Sequence, residues 1–359
     1  MTRARRILQI TSYPPPRAGW GVRVQYLKRQ LEEEGHRCVV LNIGSSRSLP
    51  SSEYESVLGA WDYIRKVWRF TRQGFVAHIH VNGASPKGFV LAITAELINL
   101  LGGHRPFLTF HAGVDQVYFP RPKFPILLPM YWVLFGLPRA IICNSADVKA
   151  KILEYGVNAD KVFPIPAFSR QYLQSVDERL PDEIAAFYAR FPHVVFCYTK
   201  IRPLFFPEVL VTGFARLASS RDDVGLILCG VAGHMEPDLW RRVQTLIADC
   251  GLSERVAIVD DLAHEAFLVA LGRASLYVRT HVSDGVCSSV LEALALGIPV
   301  VASENHQRPP GVITYSPEDA EALRAAIDDV LHRRAEIVAC LPRPVVQDTL
   351  AEELRLLTA

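Results

Sequence analysis

An aspartate and a glutamate, Asp284 and Glu292, stand eight residues apart around the small residues GVCSS, in the stretch DGVCSSVLEALALG. The spacing predicts a helix that begins around Cys287 to Ser289, with Asp284 just outside it and Glu292 about one turn inside. A helix N-terminus carries about half a positive charge and unpaired amides, so it attracts phosphate. Gly285 has no side chain to keep an anion from those amides. Two carboxylates beside a phosphate would repel it, so their expected partners are hydroxyls, to which they make charge-assisted hydrogen bonds. Acid, anion site and acid together match a sugar, a diphosphate and a ribose, which is the outline of a nucleotide sugar.

Other residues that can do chemistry lie at the ends of apolar runs. His111 closes PFLTFH and precedes AG, so its side chain is expected to face a cleft. His78 and His80 alternate with apolar residues in AHIHV and read as structural. His264, in DLAHEAF, follows a strand of the second half, and His281 precedes VSDG. In SYPPPRAGWG, Gly19 and Gly21 let the backbone approach a ligand closely. This loop is longer than the two to six residues usual between strand and helix. It is not G-x-G-x-x-G, which argues against a dinucleotide-dependent dehydrogenase. No two of the seven cysteines have metal-ligand spacing. Asp260 and Asp261 are adjacent and point to opposite faces if extended. The expected metal is none, and the expected cofactor is none beyond the donor itself.

These residues need a scaffold, and the scaffold is legible as alternation. Apolar runs of strand length recur at 6–11, 37–43, 76–81, 106–111, 140–145 and 162–166, then at 193–199, 225–230, 255–260, 275–280, 299–303 and 311–315. Helix-length amphipathic segments separate them. Continuous apolar strands alternating with helices predict parallel sheets covered on both faces. Two such series predict an α/β chain of two doubly wound domains. The expected division is 1–168, a linker at 169–192, 193–335, and a helical segment at 336–359 able to cross back to the first domain.

The stretch around Asp284 and Glu292, with EALALGIPVVAS attached, resembles the E-x7-E motif of the family-4 retaining glycosyltransferases. The likeness extends to ILQITSYPPPRAGWGVRVQYLKRQLEEEGHRCVVL, HIHVNG, LTFHAG and AIICNSADVKAKILEYGVNADKVFPIP. It implies the GT-B fold, two facing Rossmann-like domains with an interdomain cleft. It also implies transfer of a hexose-type sugar from a nucleotide-diphosphate sugar to a hydroxyl acceptor, with retention and without a metal. The acceptor class stays open between a glycan, a lipid-linked molecule and a small molecule, and polysaccharide biosynthesis is the implied setting. By the same likeness, Asp284 holds the transferred sugar, Glu292 the ribose, and His111 lies beside sugar and acceptor. Gly19, Gly21, Gly285, Val286, Cys287 and Ser288 are the remaining donor-binding candidates. Three positions depart from the family. Asp284 is one methylene shorter than the usual glutamate. Where the family has an arginine and then a lysine for the diphosphate, this chain has Lys200 and Phe205. Arg202 is the candidate to replace the missing cation, and Lys200 serves as a point charge.

Half of the 359 residues are apolar and the formal net charge is +2. No block of five or six like charges appears, which argues against nucleic acid as the partner. The scattered cysteines suit a reducing cytoplasm. No run of eighteen apolar residues predicts a membrane span. The segment 119–140 is apolar with Arg121, Lys123 and Arg139 at its edges. Sheet–helix packing explains it first, and peripheral contact with the inner face of a membrane is the second reading. The rival to catalysis is a non-catalytic GT-B protein that binds a sugar or nucleotide, a reading that Phe205 and Asp284 favour.

Overall fold

The computed structural model describes residues 4–14, 19–83, 85–113, 118–119, 125–173, 179–231, 236–260, 262–282, 287–344 and 346–359. The chain divides into two compact units, Met1–Ser169 with Asp348–Ala359, and Arg170–Gln347.

Unit 1 is a parallel sheet of β1 (Arg6–Thr11), β2 (Arg37–Asn42), β3 (Glu55–Ser56), β4 (Val76–Val81), β5 (Phe107–Phe110), β6 (Ala140–Cys143) and β7 (Val162–Pro164), ordered β3-β2-β1-β4-β5-β6-β7. Its helices are α1 (Gly19–Glu33), α2 (Ala60–Arg72), α3 (Pro86–Leu101), α4 (Leu128–Gly136) and α5 (Ala146–Leu153). The chain runs one way from β1 to β3 and the other way from β4 to β7. Right-handed crossovers therefore put α1 on one face and α2 to α5 on the other. The side chains obey this. Leu8, Ile10, Ala77, Ile79, Leu108 and Phe110 join one core with Tyr63 of α2, Phe89 of α3 and Tyr131 of α4. Ile7 and Phe107, of opposite parity, pack with Leu27 and Leu31 of α1.

Unit 2 opens with α6 (Asp182–Arg190), which lies in the segment expected as a linker and bonds to this unit through Tyr188 Oη, 2.6 Å from Ala270 O. Its parallel sheet holds β8 (His193–Tyr198), β9 (Val224–Cys229), β10 (Val256–Val259), β11 (Leu276–Arg279), β12 (Val300–Ser303) and β13 (Val312–Tyr315), ordered β10-β9-β8-β11-β12-β13. The intervening helices are α7 (Pro207–Ala218), α8 (Pro237–Asp249), α9 (His264–Arg273), α10 (Ser288–Ala295), α11 (Ala320–His332) and α12 (Arg334–Cys340). Strand order reverses between β1 and β4 in unit 1 and between β8 and β11 in unit 2. Ligands of open α/β sheets bind beyond the carboxyl ends of strands at such reversals.

A last helix, α13 (Thr349–Thr358), belongs to unit 1 and packs on α1. Asp348 caps it, its side chain accepting from the Ala351 amide at 2.9 Å. Leu350, Leu354 and Leu357 enter the core beside Ile7 and Leu27.

Candidate functional site

In unit 2, helix α10 starts where the residue types predict. Cys287 is the extended residue before the first turn and Ser288 the first helical one. Gly297 ends it in the left-handed conformation, φ 76°, which lets the Ile298 amide bond back to Ala293 O at 2.8 Å. This turn converts the helix into β12 within three residues, which accounts for the LGIPVV pattern. Ser289 Oγ lies 2.7 Å from Tyr277 Oη, so the first turn is tied to the sheet beneath it. Cys287 Sγ lies 3.3 Å from Ser289 Oγ. Asp284, Gly285 and Val286 lie outside the described residues.

Glu292 sits one turn into α10 and is 3% exposed. His264 Nε2, at the start of α9, lies 3.0 Å from Glu292 Oε1. Tyr172 meets the His264 ring edge-on at 5.3 Å, and Phe267 stacks along it. A buried carboxylate so held keeps one oxygen and further lone pairs for a ligand hydroxyl.

Lys200 and Arg202 follow β8, Lys200 half-buried and Arg202 exposed, with the Arg202 amide bonded to Lys200 O at 2.9 Å. Phe205 is buried rather than turned to solvent, and it stacks on His281 with ring centroids 4.0 Å apart. Above it lies a cation that sequence reasoning missed. The Arg279 guanidinium is 5.3 Å from the centre of the Phe205 ring, and Arg279 Nη1 donates to Tyr198 O at 3.0 Å. Arg279 ends β11, at the strand reversal, and the pattern SLYVRT held the signal: a cation closing a strand otherwise apolar. Phe206 next to it takes the left-handed conformation, φ 47° and ψ 50°, ahead of Pro207, which bars the right-handed helical alternative. An aromatic residue held there costs on the order of 1–3 kcal/mol, a strain of the kind that collects at functional sites.

In unit 1 the polar residues share one sheet face. Gln9 of β1, His78 and His80 of β4, and Thr109 of β5 have the parity of Ile7 and Phe107, and all four are buried. His111 follows β5 directly. His80 Nδ1 lies 2.9 Å from His111 Nε2, and His80 Nε2 lies 2.8 Å from Gln9 Oε1. With Gln9 Oε1 accepting from His80 Nε2–H, His80 Nδ1 accepts from His111 Nε2–H, and His111 Nδ1 keeps its lone pair. Burial and the Arg23 charge hold His111 down to about 3. Burial, then His78, His111 and Arg23, hold His80 well below the ordinary imidazole value. The cluster is neutral. His80, expected to be structural, is thus bonded to the candidate residue His111. The signal was the period-two polarity of LQIT and AHIHV inside strands otherwise apolar on both faces.

Trp20, in the first turns of α1, meets the His111 ring edge-on, centroids 4.7 Å apart. Gly21 has its small size for a local reason, since a Cβ there would stand 3.2 Å from the Pro14 ring. Gly19 opens α1. A pocket at the ends of β1 and β4 is lined by Trp20, His80, Asn82, Ile10, Tyr63 and Leu91 among others. In the same unit, Arg23 of α1 donates from Nε to Glu353 Oε2 of α13 at 2.7 Å and from Nη1 to Thr349 Oγ1 at 2.8 Å, all three residues being 2% exposed.

Residues 192–339 match the family model described as Glycosyl transferases group 1, and residues 18–168 match Glycosyltransferase Family 4. Among curated proteins no sequence matches. Anabaena HepE, solved in complex with UDP-glucose, is 16% identical over 98% of this chain and 96% of its own, with a TM-score of 0.67. Sucrose-phosphate synthase of Thermosynechococcus elongatus is 16% identical over 98% of each chain, TM-score 0.67. A putative UDP-N-acetylglucosamine 2-epimerase of Listeria monocytogenes is 14% identical over 98% and 95%, TM-score 0.67. At such identities the likeness establishes the fold.

Proposed function

We propose that this chain carries out retaining, metal-independent sugar transfer from a nucleotide-diphosphate donor to a hydroxyl acceptor, a reading supported by the match of each half to a glycosyltransferase family model and by the two-domain GT-B fold. The observation that carries the reading is Glu292, a buried carboxylate on the first turns of α10, held by His264 beside the strand reversal of unit 2. A carboxylate so placed suits a ribose hydroxyl, and the start of α10 suits the diphosphate. Neighbours solved with UDP or UDP-glucose support a uridine diphosphate donor as the first to try.

In the proposed reaction the acceptor oxygen bonds to the anomeric carbon as the bond from that carbon to the β-phosphate oxygen breaks. The acceptor proton passes to the departing diphosphate oxygen on the same face. The protein's part is to stabilise charge on the leaving group, with Lys200, Arg202 and the α10 start as donors. Asp284 and His111 are assigned to the transferred sugar and the acceptor, with Gly285, Val286, Cys287 and Ser288 at the diphosphate. Glycan, lipid-linked and small-molecule hydroxyls all fit this chemistry.

A thermal-shift panel of nucleotide sugars tests the reading, because a ligand at one hundred times its dissociation constant adds roughly 2.7 kcal/mol. The donor that stabilises should then be turned over, with a product of retained anomeric configuration. Phe205, buried where the family has a lysine, favours a second reading: a GT-B protein that binds nucleotide without catalysis. Stabilisation by a donor, with no transfer or hydrolysis from any donor, selects that reading.

A further inference from the structure

Most of the large apolar side chains that stand exposed among the described residues sit on one helix layer of unit 1. Trp61 and Trp68 of α2, Leu97 and Leu101 of α3, Ile126 just before α4 and Trp132 within it are examples; Trp61, Leu101 and Ile126 are 77%, 78% and 86% exposed. The three helices are neighbours. Tyr63 Oη of α2 donates to Leu91 O of α3 at 2.8 Å, and Phe89 of α3 meets Tyr131 of α4 edge-on at 5.2 Å. Each turns a second, buried face to the sheet, so the exposed apolar residues form the layer's outer side. Single exposed apolar residues need no explanation, but a cluster over three adjacent helices marks a contact surface.

The charge on the three helices is predominantly positive. Arg65, Arg69 and Arg72 stand exposed on α2, and Lys87 opens α3. Asp62 is bound by Lys66 at 2.9 Å, and Arg69 by Glu55. Glu96 of α3 is fully buried, and burial pushes its carboxyl up to about 9, so it adds no negative charge. Helix α4 has no acid. A two-fold contact between copies through this surface would set these cations against themselves. An anionic bilayer accepts them, and tryptophan favours the headgroup level of membranes.

We propose that the outer side of the α2–α3–α4 layer seats on an anionic lipid bilayer, with Trp61, Trp68 and Trp132 among the headgroups and Arg65 and Arg72 on the lipid phosphates. The protein lies on the membrane rather than through it, since no helix among the described residues is long and apolar enough to cross. The inner side of the same layer gives Tyr63, Gly88 and Leu91 to the pocket beside His80. Seating α3 on a bilayer would bring that pocket next to the lipid.

The full chain is mixed with vesicles of phosphatidylcholine alone, or of phosphatidylcholine with phosphatidylglycerol, and spun down. Sedimentation with the anionic vesicles, a blue-shifted tryptophan emission and release by high salt are expected. Leu97→Glu/Leu101→Glu and Arg65→Glu/Arg72→Glu change exposed positions, so each should keep the native circular dichroism. Each should weaken vesicle binding on the order of tenfold or more. Absence of binding to anionic vesicles, or binding unchanged in both folded variants, overturns the proposal. So does a solution dimer that Leu97→Glu/Leu101→Glu splits, which would give the surface to a second copy.

Discussion

The imidazole rings of His80 and His111 lie 12° from parallel, and a hydrogen bond of 2.9 Å joins Nδ1 of the first to Nε2 of the second. One nitrogen must donate and the other accept, so the pair survives only while at least one ring is neutral.

That pair and His78 predict acid sensitivity. Burial first, then the His111 and Arg23 charges, holds His78 at about 3, as burial and Arg23 hold His111. The unfolded chain has ordinary histidines near 6.5 and takes up protons that the folded chain refuses. Stability should therefore be full above about pH 6.5 and fall as pH drops toward about 3. The loss is ~1.4 kcal/mol per pH unit for each histidine that stays neutral. Melting temperatures across this range should fall less steeply for His78→Gln than for the natural chain. Equal slopes would remove the assignment.

Glu292→Gln should keep the fold and weaken nucleotide binding roughly tenfold to a hundredfold, the worth of one or two hydrogen bonds to a charged group. His264 acts through Glu292 and is a positioning residue. His264→Ala should raise the apparent KM for donor while leaving kcat closer to its natural value, and His264→Gln should recover part of the loss. Unchanged kinetics in folded Glu292→Gln would sink the ribose assignment.

The leaving diphosphate needs positive charge, and an exposed helix start supplies only about 0.3–1 kcal/mol. A preorganised donor is worth on the order of 3 kcal/mol. Lys200→Ala and Arg202→Ala should each lower turnover more than about tenfold. Phe205→Lys should not raise it, because the new ammonium would stand under the Arg279 guanidinium, now 5.3 Å from the ring it replaces. It should instead lower the melting temperature of the protein. A gain of activity in Phe205→Lys, with Arg202→Ala silent, would refute the shared-cation account.

Transfer should persist in EDTA, since the chain pairs no D-x-D with suitable ligand spacing near the proposed donor site. Activity abolished by EDTA and restored by magnesium or manganese would contradict this.

The strands were legible because both faces of these sheets are covered, so each strand is a nearly continuous apolar run. Each of the twelve runs named from sequence overlaps a strand. The exception to the pattern is β3, Glu55–Ser56, whose two polar residues carry no such mark. The start of α10 was legible from small residues before an apolar periodicity, and Glu292 with it. The His80–His111 bond was not, because it depends on β4 and β5 being neighbours and on the register that sets His80 beside Thr109. Arg279 was not, because its place over Phe205 depends on β11 lying next to β8. The Arg23–Glu353 pair joins residues 330 apart, beyond the reach of any local pattern.

That last separation has a consequence for how the protein is made. Helix α13 completes unit 1, yet the ribosome delivers it only after the whole of unit 2. At ~5–20 residues per second, unit 1 waits roughly ten to thirty seconds for its final helix. During that interval the nascent first domain holds Arg23 without Glu353, and removing one partner of a buried pair costs about 3–5 kcal/mol. Ile7 and Leu27 lack their cover of leucines for the same time. The first domain, though synthesised first, thus reaches its full set of contacts only after the second has been made.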